Sequence, residues 1–227
     1  ERRSVFARHA VLAAGTLATT RLALGLLDMT ERDLPLVSCP AFAFALAQPG
    51  LLGRGLAERG YGMAQLSVAL PLPQGRPGDI VFGQLYDADA MSAVDLMEHM
   101  PLSWPARMAV LRVLLPTLMI GLAYFPGRFS ANSVRLGADG GLRIQGGVAD
   151  GFESALAAAA SALRRGLRQL GAFVLPGSLR SYPPGAEVHY GCTLAMGRLT
   201  DADGALTGCP AVLVADWMNA RLAGKPF

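Results

Sequence analysis

The stretch that most constrains this chain is His9-Ala-Val-Leu-Ala-Ala-Gly15, a short apolar run closed by glycine. Such a run suits a strand buried on both faces. Leu17, Arg21, Leu22, Leu24 and Leu27 then recur with helical spacing, and Thr16 is placed to cap that helix. The order is strand, glycine turn, helix. It predicts an α/β fold and matches the edge of a nucleotide-binding α/β layer.

Beyond this unit, residues 31–62 are rich in Pro and Gly and read as irregular, with short apolar stretches such as 41–47. Met63–Leu70 and Asp79–Tyr86, separated by prolines and glycines, predict a β-hairpin with a longer loop. Helices are expected near 89–99 and 105–117. The apolar run 113–126 is too short for a bilayer, which needs about 20 residues. Pro116 and Gly121 interrupt it and arginines bracket it, so it reads as a helix end followed by a buried strand. Ser133–Leu136 and Leu142–Gln145 flank Gly137-Ala-Asp-Gly-Gly141, a second hairpin. Residues 151–170 form an amphipathic helix with Arg164, Arg165 and Arg168 toward its C-terminal end and Gly171 beyond it. Ala211-Val-Leu-Val-Ala-Asp216 is a second buried-strand candidate closed by an acid.

Composition narrows the function classes. Apolar residues make up 52% and charged residues 16% of 227, which opposes disorder and favours a well-filled core. The net charge of +3 comes from scattered basic residues without interleaved aromatics, so there is no nucleic-acid footprint. Three widely spaced cysteines, Cys39, Cys192 and Cys209, oppose a disulfide framework or a zinc site. No metal is expected. Reduced thiols and the lack of a signal-peptide pattern point to the cytoplasm, with peripheral membrane contact through an apolar patch left open. The opening Glu-Arg-Arg-Ser, followed at once by an apolar run, reads as the middle of a longer chain.

The candidate for chemistry is His189, beside Tyr190, Gly191 and Thr193 in a β-like segment. Imidazole titrates near neutrality and can take a proton from an alcohol and return it. On residue type alone, a histidine holding a structural hydrogen bond is the favoured reading. Its neighbours reverse that preference. Ala10-Val-Leu-Ala-Ala-Gly-Thr-Leu-Ala-Thr-Thr-Arg-Leu-Ala-Leu24 resembles the segment VLAAGALxTPRLLL of the glucose–methanol–choline (GMC) oxidoreductases. His189-Tyr-Gly-Cys-Thr-Leu-Ala-Met-Gly197 resembles their HxxGTxxMG segment. Asp201–Leu206 with Val212–Asp216 resembles the stretch that follows, and Gly224-Lys-Pro-Phe227 lies where the family has a Gly-x-Asn-Pro turn.

The resemblance implies an FAD-dependent oxidation of an alcohol to a carbonyl, in which His189 accepts the hydroxyl proton and the flavin accepts hydride. It implies cofactor contacts at Gly15, Thr16, Asp216, Trp217 and Pro226, with Asp216 also able to cap a helix. It implies a fold of FAD-binding-domain remnant plus mixed β-sheet substrate domain. Residues 1–30 would end the FAD-binding domain, 31–185 would bind substrate, and 186–227 would carry the catalytic segment back to the cofactor. Three positions depart from the pattern. Lys225 stands at the second catalytic position, where an ammonium could stabilise a reduced, anionic flavin. Cys192 replaces a glycine, and Ala195 replaces an arginine-like residue. No GxGxxG opens a helix in these residues, so the FAD phosphate-binding segment would be supplied from outside them. The apolar content of 102–126 suggests a large apolar alcohol, such as a sterol or a long-chain alcohol. The alternative is a non-catalytic remnant or subunit that binds an apolar ligand or a separate FAD-binding chain.

Overall fold

The computed structural model describes residues 6–54, 66–72, 76, 78–87, 101–186 and 189–215. In chain order its elements are β1 (Ala10–Leu12), α1 (Thr16–Leu26), β2 (Leu34–Pro35), β3 (Ala41–Ala47), β4 (Leu66–Pro71) and β5 (Ile80–Asp87). They continue with α2 (Trp104–Leu114), β6 (Leu118–Tyr124), β7 (Ser133–Leu136), β8 (Leu142–Gln145) and α3 (Phe152–Gln169). The last are β9 (Phe173–Val174), β10 (Arg180–Ser181), β11 (Ala205–Leu206) and β12 (Cys209–Val214). The class is mixed α and β. The chain divides into two compact units, one from residues 1–40, 127–150 and 183–227, the other from 41–126 and 151–182. The segment 31–185 therefore contributes to both.

The second unit is built on one large sheet, ordered β10-β3-β6-β5-β4, with β9 also pairing β3. Every pairing in it is antiparallel, where a mixed sheet was expected. The reason lies in the connections: β4 and β5 are joined by a short loop, whereas parallel neighbours need a long crossover. Its interior strand β3 occupies part of the stretch expected to be irregular. The sequence Ala-Phe-Ala-Phe-Ala-Leu-Ala puts Phe42, Phe44 and Leu46 on one face, all fully buried. Phe42 meets Phe125 at 5.8 Å, and Phe125 meets Phe152 edge-on at 5.0 Å. Gly121 lies opposite Phe44, and a Cβ there would sit 2.0 Å from the ring, so this glycine makes room for the aromatic. Helix α3 buries Ala159, Ala160, Leu163 and Leu167 and packs on β4 and β9. Each fully buried Leu or Phe stabilises by about 1.5–3 kcal/mol.

The expected β4–β5 hairpin and the helix over 151–170 are present. Residues 113–126 end α2, pass through a 3-10 turn and become β6. No helix among the described residues is long and apolar enough to cross a membrane. The helix expected near 89–99 lies outside the described residues.

The first unit holds two three-stranded sheets, β1-β12-β11 and β2-β7-β8. Leu24, Leu36, Leu136, Leu194, Leu206 and Val214 form the centre of its core. The hairpin β7–β8 has the expected boundaries. β1 runs parallel to β12, with Ala10 opposite Val212 and Leu12 opposite Val214. The expectation of a fully buried strand at 9–15 is corrected: only three residues are strand, and Val11 is 59% exposed. β1 has a partner on one side alone among the described residues, so it is an edge.

Candidate functional site

The site lies in the first unit, at the C-terminal end of the parallel pair β1 and β12. Open α/β layers place ligands beyond this end of their strands. Beyond β1 the chain turns at Gly15, whose φ of +82° and ψ of +157° form a combination available essentially to glycine alone. An added Cβ would meet nothing within 4 Å, so backbone conformation, not space, demands glycine here. The same residue is the N-cap of α1. Thr16 is not the cap, as expected from sequence, but the first helical residue. Its hydroxyl is directed to the carbonyl oxygen of Tyr190, at 3.5 Å, across 174 residues of chain.

Thr19 fixes the turn, a role that nothing in the local motif marks. It is completely buried, and its Oγ1 accepts a hydrogen bond from the Ala14 N–H at 3.0 Å. Threonine is an indifferent residue for a helix interior, and that mild misfit was the available signal. The first N–H groups of α1 have no intrahelical acceptor and carry the positive end of the helix dipole. A cleft of about 460 Å³ opens over them, lined by Gly15, Thr16, Leu17, Ala18, Ala186 and Tyr190.

His189 stands next to this cleft in sequence, is exposed, and is not among the residues that line it. The segment that carries it is tied down on both sides. Tyr190 donates its hydroxyl proton to the Gly185 carbonyl. Gly191 exchanges two backbone hydrogen bonds with Val37, at 2.8 and 3.0 Å. Thr193 then donates to the Pro35 carbonyl at 2.9 Å, and Thr200 to the Leu194 carbonyl at 2.8 Å. Leu194 and Ala195 are buried beneath. The histidine is thus presented on a turn held by directed bonds.

Cys192 adopts φ +66°, a left-handed conformation uncommon for any residue with a side chain. Burial pushes its thiol pKa up, and neighbouring Cys39 adds to the shift. The group is a thiol near neutral pH, not a nucleophile.

Of the residues singled out from sequence, Gly15, Thr16 and the His189 segment come together. Asp216, Trp217, Lys225 and Pro226 lie outside the described residues. Ala215, the last described residue before them, donates its N–H to the Leu12 carbonyl at 3.0 Å. The donors at α1 fit an anionic or carbonyl-bearing part of a cofactor. No cluster of three or more metal-ligating side chains occurs among the described residues. Compared with known protein-family models the chain matches none, and a search of curated proteins finds no match either.

Proposed function

We propose that this chain forms the substrate side and catalytic segment of an FAD-dependent oxidoreductase that converts an alcohol to a carbonyl. One observation carries the reading: the Thr16–Tyr190 contact brings the glycine turn and the His189 segment to one end of the parallel pair. A second supports it. Cys192, where the resembled pattern has glycine, holds the positive φ that glycine adopts without strain.

In this reading the N–H groups at the start of α1, together with Gly15 and Thr16, receive a polar edge of the cofactor. The resemblance would assign Asp216, Trp217 and Pro226 to that same contact, and the Lys225 ammonium would favour negative charge on a flavin if bound near it; all four lie outside the described residues. FAD, when bound, supplies the hydride acceptor. His189 takes the hydroxyl proton on an imidazole nitrogen, so the carbinol loses one proton and one hydride and becomes a carbonyl.

In this reading the pyrophosphate-binding strand–GxGxxG–helix would come from a further segment, and β1, paired on one side alone among the described residues, offers an edge for a further strand. That same edge favours the second reading, a non-catalytic subunit that pairs with an FAD-binding chain. The two separate in one experiment. Complete FAD-loaded protein is mixed anaerobically with long-chain and sterol alcohols. Loss of the oxidised flavin bands with stoichiometric carbonyl product supports the enzyme. Flavin that stays oxidised with every alcohol supports the subunit. The 227 residues alone should lose FAD on gel filtration.

A further inference from the structure

The first unit contains another cavity, of about 410 Å³, that shares no lining residue with the α1 cleft. It lies between Met29–Pro35 and the Thr193–Leu199 turn. Met29, Leu34 and Leu199 form its apolar wall; Leu34 belongs to the core cluster, and Met29 and Leu199 are partly buried against it. Arg32 and Arg198 are exposed and also line it, as does Asp33, whose carboxylate is bonded to Arg135.

These two arginines differ from most others nearby. Arg21 donates to the Gly140 carbonyl, Arg128 covers the Phe129 ring, and Arg135 and Arg143 are ion-paired. Arg32 and Arg198 have no ion-pair or side-chain hydrogen-bond partner among the described residues. The carboxylates at hand are already engaged. Asp33 binds Arg135 through both oxygens, and Glu31 faces Arg135 and Arg143. The cavity therefore combines uncompensated positive charge with an apolar wall.

We propose that this cavity binds an aliphatic monocarboxylate, its head group held by Arg32 and Arg198 and its chain laid on Met29, Leu34 and Leu199. Guanidinium and carboxylate form the strongest class of charge-assisted hydrogen bond, and the planar fork of arginine suits two oxygens. The apolar wall disfavours a bare inorganic anion, and the two cations disfavour a neutral lipid. The volume is near the lower end for small-molecule sites, about 300–1,000 Å³, which sets the chain at medium length. The inference does not depend on the flavin reading.

Titration calorimetry with octanoate, 1-octanol and inorganic phosphate tests it. Octanoate should bind saturably, about tenfold or more tighter than either control, since tenfold corresponds to one well-formed interaction. R32Q/R198Q should lose that preference while its octanol affinity and thermal melt stay unchanged. In the wild-type protein, raising salt from about 50 to about 500 mM should weaken octanoate and leave octanol alone. Absence of saturable octanoate binding, equal affinity for octanol, or a salt-independent octanoate affinity would each overturn the proposal. So would a folded double variant that keeps its octanoate affinity.

Discussion

The two units are held together in different ways. The sheet unit is held by packing: Phe42, Phe44, Phe125 and Phe152 interlock, and α3 closes over them. The site-bearing unit adds directed polar bonds to its apolar core. Six of the seven buried polar residues among those described belong to it: Thr19, Thr20, Ser38, Asn132, Thr193 and Thr200. So do all three described non-glycine residues with positive φ, Asp28, Glu31 and Cys192. Packing is non-directional and tolerates repacking of similar volume, whereas hydrogen bonds fix a position and register the loss of one atom. The proposed role of His189 would call for a defined turn, and its segment lies in the unit richer in bonds of the second kind.

The largest effect should come from breaking the packed side of this comparison. Phe44→Ala removes the ring from the sheet core and should cost about 3–5 kcal/mol in chemical denaturation. Phe44→Leu keeps much of the apolar volume and should cost far less. A similar loss from both would show that the ring is not the packing element.

Next is the bond network. Asn132 donates to Ser38 Oγ at 2.9 Å and accepts from the Gly147 N–H at 2.8 Å, while Ser130 also bonds Ser38. Asn132→Ala removes both bonds and takes this acceptor from the half-buried Gly147 N–H, while Ser38 keeps Ser130, at a cost of about 1–2 kcal/mol. Here, unlike at Phe44, a volume-preserving Asn132→Leu should be no milder. If leucine rescued stability, the network would be packing in disguise.

Gly15→Ala should cost about 1–2 kcal/mol, because no side chain sits comfortably at φ +82° although space is free. An unchanged melt with a native-like spectrum would show that the turn relaxes without strain.

The smallest effect concerns Asp33, whose carboxyl is held below its usual range by the hydrogen bond from Arg135. A depressed folded-state pKa contributes stability that is full above the ordinary aspartate range, about pH 4, and is lost as pH falls through the lower folded value. Asp33→Asn should therefore destabilise slightly at pH 7 and not at pH 2. Both groups are exposed, so added salt should shrink even this difference.

Much of this architecture was legible beforehand because its elements carry one clear period. The β7–β8 hairpin announces itself through Gly137–Gly141, and α3 through its apolar stripe. Strand β3 did not, because its two phases are both apolar, alanine on one and phenylalanine or leucine on the other. That removes the polar alternation by which a strand is recognised. At the site, Gly15 was readable because its conformation is local. The role of Thr16 and the Ser38–Asn132 network were not, since each depends on a partner more than ninety residues away. The exposure of β1 is not legible either, because an apolar run does not say how many neighbours its strand has.

The central claim is that His189 is the proton acceptor in alcohol oxidation, and rapid-mixing spectroscopy addresses it most directly. In complete, FAD-loaded protein, His189→Ala should slow flavin reduction by alcohol about 10²–10⁴-fold, the scale of a lost general base. Flavin content and protein yield should stay unchanged, since the His189 side chain is exposed and its turn is held by its neighbours. Near-normal flavin reduction in the variant would contradict the assignment.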